Sequence, residues 1–275
     1  MSRSTKARLL TVAFACTFVF AACGDDETAS TTTAADSGTT TDKLEAPATI
    51  TEGALTVCSD IPYAPFQFEG DDGEFTGYDI DLLREVASLG GLTLEVKDVD
   101  FDGILGNLAA GNCDVIGSAL TITDERAEQV DFTDPYYDSK QSLLVGADSG
   151  IETLDDVTGT IGVQSGTTGE TYALANVPDG VDVKSFDGAD ALFAALEGDD
   201  ITAILQDLPV NVDRARQDDS ISVVEEYQTE EQYGFAVEKG NSEVLAFLNV
   251  ALAELGSNGT KQSIYDTYFA VDGGE

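Results

Sequence analysis

Short runs of aliphatic and β-branched residues alternate along this chain with segments of helical period, and no other feature narrows the fold as much. Leu55 to Cys58 is strand-like, Tyr78 to Ala87 carries Ile80, Leu82, Leu83 and Val86 at the spacing of one buried helix face, and Leu92 to Val96 is strand-like again. The alternation continues with Ile104 to Ala109 as helix, Asp114 to Gly117 and Thr160 to Val163 as strands, Ala189 to Leu196 as helix, Ile201 to Leu205 as strand and Glu243 to Leu255 as a last helix. Such a pattern predicts an α/β protein with parallel-rich sheets flanked by helices, because a helix is the usual crossover between parallel neighbours.

Polar residues cluster where these strands end. Asp60 follows the first strand, Ser118 to Thr121 follow the Asp114 run, Ser165 to Thr168 follow the Thr160 run, and Asp207 follows the Ile201 run. The carboxyl edge of an open parallel sheet is where small ligands bind, since helix N-termini and free amides converge there. Two clusters come from the first half and two from the middle, which predicts two sheets facing each other across a cleft.

The first residues read as an address. Arg3, Lys6 and Arg8 precede an apolar stretch from Leu9 to Phe20, shorter than the ~20 residues of a membrane span, with Ala21 and Ala22 before Cys23. Residues 1–22 are therefore expected to be an export signal. Phe20-Ala21-Ala22-Cys23 resembles a bacterial lipobox with Phe in place of the usual Leu, so Cys23 is expected to be lipidated and to anchor the chain on the outer face of the cell membrane, plain secretion being the alternative. Residues 23–49 are rich in Thr, Ser, Ala and Asp and poor in large apolar groups, which predicts a flexible acidic tether and a fold that starts near Ile50.

Composition removes whole function classes. With 52 Asp plus Glu against 13 Lys plus Arg, the formal charge is -39, and nucleic acid is excluded as a partner. There is no His, which excludes imidazole-assisted nucleophiles and His-based metal motifs. No cofactor or metal is expected. The carboxylates are scattered, without a Ca²⁺-loop spacing. Cys58 and Cys113 fall near strands expected in one sheet; export permits a disulfide between them, and two buried thiols are equally consistent with the sequence.

Several motifs together resemble the family 3 extracellular solute-binding proteins, the amino-acid-binding components of polar amino-acid ABC importers. Ser59-Asp60-Ile61-Pro62-Tyr63-Ala64-Pro65-Phe66-Gln67-Phe68 and Phe75-Thr76-Gly77-Tyr78-Asp79-Ile80-Asp81-Leu82 are similar to the family's opening strand, loop and helix. Phe101-Asp102-Gly103-Ile104, Leu120-Thr121-Ile122-Thr123-Asp124-Glu125-Arg126 and Val130-Asp131-Phe132-Thr133-Asp134-Pro135-Tyr136-Tyr137 are similar to its second signature. Gly162-Val163-Gln164-Ser165-Gly166-Thr167-Thr168, Gln206-Asp207-Leu208-Pro209 and Gln232-Tyr233-Gly234-Phe235-Ala236 resemble the second-lobe motifs and the return strand. The resemblance implies a two-lobe periplasmic binding protein type II fold with the ligand cleft between lobes. It places lobe 1 at 50–138 and 234–275, lobe 2 at 139–233, and hinge crossovers near Asp138-Ser139 and Tyr233-Gly234. It also implies a monomer that delivers a polar or basic L-amino acid to a membrane permease.

A free amino acid is a zwitterion, so its site needs a cation with amide and hydroxyl donors at one end and an anion at the other. Arg126 suits the carboxylate, because its planar fork makes two parallel charge-assisted hydrogen bonds. On spacing alone it could instead pair with Asp124, Glu128 or Asp131; the resemblance implies the ligand role. The Thr121 hydroxyl and amides near Ala119 and Thr167, with Thr168 beside them, complete the expected cradle. Asp207 is expected to hold the ammonium, with a Ser118 carbonyl, although Asp before Leu208-Pro209 is also a common local cap. Tyr63, Phe66 and Phe101 are expected walls, although an aromatic residue such as Phe66 is more often ordinary core. Asp60, Gln164 and Gln206 surround the far end, where Asp60 suits a cationic tip and the two Gln an amide. The ligand is thus arginine-like or glutamine-like. The rival reading is an enzyme on the same scaffold, similar to cyclohexadienyl dehydratases acting on prephenate or arogenate, with Asp60 as general acid.

Overall fold

The protein is described here by a computed structural model covering residues 43–270. The expected signal (1–22), the Cys23 lipidation site and most of the expected tether lie outside the described residues.

Along the chain, β1 (Ala54–Ser59) leads through the short hairpin β2 (Phe68–Glu69) and β3 (Phe75–Thr76) to α1 (Tyr78–Gly90) and β4 (Thr93–Asp98). Then come α2 (Ile104–Ala109), β5 (Val115–Ile116), α3 (Asp124–Ala127), β6 (Val130–Phe132) and β7 (Tyr137–Gly146). A second run holds β8 (Thr160–Gln164), α4 (Thr168–Asn176), β9 (Asp182–Phe186), α5 (Ala189–Glu197), β10 (Ala203–Asp207) and α6 (Leu208–Gln217). The chain returns through β11 (Ile221–Tyr233) and β12 (Ala236–Glu238) to α7 (Ser242–Ser257) and α8 (Thr260–Phe269).

These strands form two five-stranded sheets, ordered β4-β1-β5-β12-β6 and β11-β7-β10-β8-β9. β1 runs parallel to both β4 and β5, and β8 parallel to both β9 and β10, so the strands joined by helical crossovers pair as the alternation predicts. All six residues of β1 are buried, as a strand covered by helices on both faces requires. The sheets are mixed rather than purely parallel, because β12 is antiparallel to β5 and β6 and β7 is antiparallel to β10 and β11.

The two longest strands, β7 and β11, pair with each other from Tyr137↔Tyr233 to Gly146↔Ile221. The hydrophobic pattern does not announce them. β11 carries Glu225, Glu226, Glu230 and Glu231 and is interrupted by two register shifts, so it reads as an acidic loop. Its pairing is held by backbone bonds to β7 and by scattered buried groups such as Tyr227 and Tyr233.

The first core is α1 and α7 against the first sheet, with Leu82, Leu83 and Val86 facing Phe247, Leu248 and Leu252. Phe66 lies at its centre, fully buried among Tyr78, Tyr137, Tyr233 and Phe269. It is a core residue and not a cleft wall. The fold also begins before Ile50: the Leu44 amide donates to Leu89 O at 2.9 Å, Pro47 is buried, and the Ala48 amide donates to Glu243 Oε1 at 3.3 Å. The last seven residues of the expected tether, 43–49, thus pack on α1 and α7, because Leu44 and Pro47 give that stretch apolar groups to bury.

Cys58 of β1 and Cys113, two residues before β5, are disulfide-bonded with Cα atoms 5.7 Å apart, in a cluster with Ile104, Leu108 and Ile116. The bond closes a 55-residue separation, for which loss of denatured-chain freedom stabilises the fold by about 4 kcal/mol. A Cys58→Ala, Cys113→Ala double variant is expected to unfold in urea with a stability lower by about 3 to 4 kcal/mol. An unchanged midpoint and slope would show that the bond contributes nothing to the folded state.

Candidate functional site

The carboxyl ends of β1, β5, β8 and β10 meet around a small hollow of about 10 Å³. That is room for about one water, so the strand ends lie closed on one another rather than around an open pocket. Of the twelve residues expected in a ligand site, eleven line it: Asp60, Tyr63, Phe101, Ser118, Ala119, Thr121, Arg126, Gln164, Thr167, Thr168 and Asp207. Gln206 does not.

Arg126 sits on the single turn α3, whose N-cap Thr123 accepts the Arg126 amide at 3.2 Å. Its guanidinium is 9% exposed and donates through Nη1 to Thr121 O at 2.8 Å and through Nη2 to Gly166 O at 3.0 Å. The Phe101 ring lies 5.4 Å beneath Cζ. Among the described residues no carboxylate oxygen comes within 4.0 Å of it, and Asp131 pairs with Lys239 instead at 2.8 Å. The structural pairing with Asp124, Glu128 or Asp131 is not formed. Burial draws the guanidinium pKa down while Asp207 and Glu231 pull it back up, and an Arg in that situation stays a cation.

Asp207 closes β10 and precedes Pro209 in the first turn of α6, yet its side chain makes no cap bond. Its Oδ2 instead accepts the Tyr63 hydroxyl at 2.8 Å and the Tyr233 hydroxyl, and its Oδ1 accepts Gln141 Nε2. Burial, then the neighbouring Glu231, push this carboxyl up to about 6 against the pull of those donors. Asp60 accepts Gln164 Nε2 at 2.6 Å and is likewise raised to about 6, by burial first and then by Asp98 and Asp100 against the Gln164 bond. The Asp60–Gln164, Tyr63–Asp207 and Arg126–Gly166 bonds each join a loop or the helical turn α3 beside the first sheet to a strand end or loop of the second.

The remaining expected residues take more specific places. Ser118 Oγ accepts the Asp60 amide at 3.0 Å and Gln67 Nε2 at 3.1 Å. Thr167 caps α4 by accepting the Glu170 amide, and its hydroxyl donates to Gln164 O at 2.8 Å. Thr168 opens α4, and Thr167 and Thr168 at its N-terminus line the hollow.

Three expectations need correction, the first being that Thr121 spends its hydroxyl hydrogen on Glu231 Oε2 at 2.9 Å and so offers none to a carboxylate cradle. The Ala119 amide donates to Asp79 Oδ2 at 2.7 Å, with Ala119 at φ +46°, so it is not a donor for the carboxylate cradle. Gln206 turns to the far face of β10 and donates to Asn211 Oδ1 at 2.8 Å. Adjacent strand residues point to opposite faces, so once Asp207 faces the hollow Gln206 is excluded from it, a conclusion the strand period already contained.

Sequence reasoning also missed Gln67, Gln141, Glu231 and Asp79. Gln67 lines the hollow and donates to Asp60 O at 3.2 Å. Glu231 Oε2 accepts the hydroxyls of Thr121 and Thr168, each at 2.9 Å. Asp79, fully buried at the start of α1, accepts the Ala119 amide and the Tyr136 hydroxyl at 2.6 Å, linking the Ser118–Thr121 loop to the foot of β7. The acid reads in sequence as an ordinary first-turn helix residue.

Residues 55–271 match the family described as bacterial extracellular solute-binding proteins, family 3. The chain is 34% identical over 224 residues to the L-cystine-binding protein TcyJ of Escherichia coli K12, covering 80% of this chain and 84% of that protein. An ancestral arginine-binding protein solved with bound arginine is 38% identical, with a TM-score of 0.75 over 79% of this chain and 99% of that one. The ancestral amino acid-binding protein AncCDT-1, a precursor of cyclohexadienyl dehydratase, is 33% identical, with a TM-score of 0.75 over 79% of this chain and 96% of that one.

Burial pushes Asp79 up to about 7 from 3.8, against the lowering bonds from Tyr136 and Ala119. Between these two values the unfolded chain has released the proton that the folded chain keeps, so Asp79 makes stability fall as pH rises through that window. Asp79→Asn keeps an acceptor for both donors and cannot ionise. In urea unfolding between pH 4 and 7, its stability is expected to decline less with pH than the parent's. Parallel profiles would rule out a protonated Asp79 in the fold.

Proposed function

Because the chain belongs to the bacterial extracellular solute-binding proteins, family 3, we propose that it captures a polar or basic L-amino acid outside the cytoplasm and presents it to the membrane permease of an ABC importer. One observation carries this reading. A buried guanidinium without a carboxylate partner among the described residues and a buried aspartate line the same hollow, one from each sheet. The ligand's carboxylate lies against Arg126, with the N-terminus of α4 beside it, and its ammonium lies against Asp207. Each contact is charge-assisted and made out of water, where such bonds are strong.

Capture is a closure of two lobes, 50–138 with 234–275 against 139–233, about crossovers near Asp138-Ser139 and Tyr233-Gly234. Ligand contacts on both lobes favour the closed arrangement by as much as their affinity for it exceeds that for the open one, and the permease reads that arrangement. Micromolar capture requires about -8 kcal/mol, within reach of several charge-assisted bonds and one enclosed side chain. The side chain points to Asp60 and Gln164: a guanidinium or ammonium tip pairs with the Asp60 carboxylate, while an amide tip exchanges bonds with Gln164. A lipid on Cys23 would keep the module at the membrane surface. No covalent step is assigned.

A second reading has one observation behind it. Asp60, raised to about 6 inside the hollow, has the property of a general acid, and a dehydratase precursor is among the similar structures. Turnover of prephenate or arogenate by the parent, abolished in Asp60→Asn, would replace transport with catalysis.

Calorimetry of the protein against the twenty L-amino acids, ornithine and cystine is expected to find at least one ligand at micromolar affinity or better. Arg126→Ala should weaken each ligand found by about 3 kcal/mol or more, since all share the carboxylate. Arg126→Lys should not restore binding, because an ammonium lacks the two-pronged geometry. Asp60→Asn should reorder the ligands. If Arg126→Ala binds as tightly as the parent, the site is elsewhere.

A further inference from the structure

Glu231 immediately precedes the Gln232-Tyr233-Gly234 return-strand motif and belongs to none of the strand-end clusters. It lies on β11 opposite Ser139 of β7, 8% exposed, on the strand pair that connects the two sheets. Its Oε2 takes the hydroxyls of Thr121 and Thr168, both of which line the hollow from opposite sides. Gln141 Nε2 lies within hydrogen-bond reach of Glu231 Oε1 and Oε2, at 3.1 and 3.2 Å, and of Asp207 Oδ1. The two carboxylates are thus held side by side by one amide. No Lys or Arg among the described residues pairs with Glu231.

The charges in and behind the hollow are therefore Asp60, Asp207 and Glu231 against Arg126 alone. An amino acid's own ammonium and carboxylate cancel, leaving the unbalanced negative charge in place for any neutral side chain. Acceptors are also in excess: Gln67, 1% exposed and lining the hollow, has an Oε1 without a hydrogen-bond partner among the described residues. A ligand rich in N–H donors and carrying one more positive charge answers both deficits.

We propose that Glu231 is a specificity-determining residue that selects amino acids with a cationic side chain, by supplying a second negative charge beside Asp207 at the ammonium end of the cleft. The proposal rests on the capture reading above. The ligand's zwitterionic head is the same in every amino acid, so the effect of Glu231 on the head cancels in the ratio of two ligands, and that ratio reports its effect on the side-chain charge. Over the length of one amino acid in a buried site, a unit charge changes affinity by about tenfold or more.

The test compares L-arginine with L-citrulline, its uncharged near-isostere, by calorimetry on the parent, Glu231→Gln and Glu231→Asp. Glu231→Gln keeps an acceptor for Thr121 and Thr168 and loses the charge. The parent should prefer arginine over citrulline by at least about tenfold, Glu231→Gln should shrink that ratio by about tenfold, and Glu231→Asp should hold it even if both ligands weaken. A ratio unchanged in Glu231→Gln overturns the proposal and leaves the capture reading standing. Should Glu231→Gln fail to fold, the parent decides: citrulline bound as tightly as arginine overturns the selection. A parent that binds no amino acid fails the capture reading itself.

Discussion

A buried cation with no anion of its own is the constraint around which this molecule is arranged. Removing a guanidinium from water is costly unless its N–H groups are met, and here only two carbonyl oxygens and an aromatic face meet it among the described residues. In a chain with four times as many acids as bases, a carboxylate partner would be easy to supply. The fold supplies backbone carbonyls instead, which orient the fork and leave it without a carboxylate in direct contact among the described residues. Such a group stays available to a visiting anion, which a salt bridge would have consumed.

How much of this was visible in the residues follows from how local each signal is. Strand ends are local, so Asp60, Ser118, Thr168 and Asp207 could be placed on one edge from alternation alone, and the hollow gathers them. Gln206 failed for a local reason as well, since the period of two that brings Asp207 inward turns its neighbour outward. Ala119 and Asp79 are forty residues apart and meet only in the folded chain, and nothing in either residue's neighbourhood marks the bond. β11 escaped because its acids look solvated, while its backbone pairs with β7, a strand far earlier in the chain.

The same acids show why composition is a poor guide to a site. A large negative charge spread over the surface speaks of solubility and of the partners it repels. Asp60, Asp79, Asp207 and Glu231 are a different population, each nine-tenths or more buried and each held by named donors. Three of them carry pKa values well above the ordinary carboxylate range because burial outweighs their hydrogen bonds. Their energetic cost marks the place where the chain departs from what stability alone would favour.

The tie between Cys58 and Cys113 reaches past the durability of the fold. Asp60 and Ser118 each follow a segment fastened by that link, and the Asp60 amide is bonded to the Ser118 hydroxyl. One wall of the receptacle is thereby cross-braced within itself, whatever the opposite wall does. Under the capture reading proposed above, this wall is the half of the receptacle already braced before any ligand arrives.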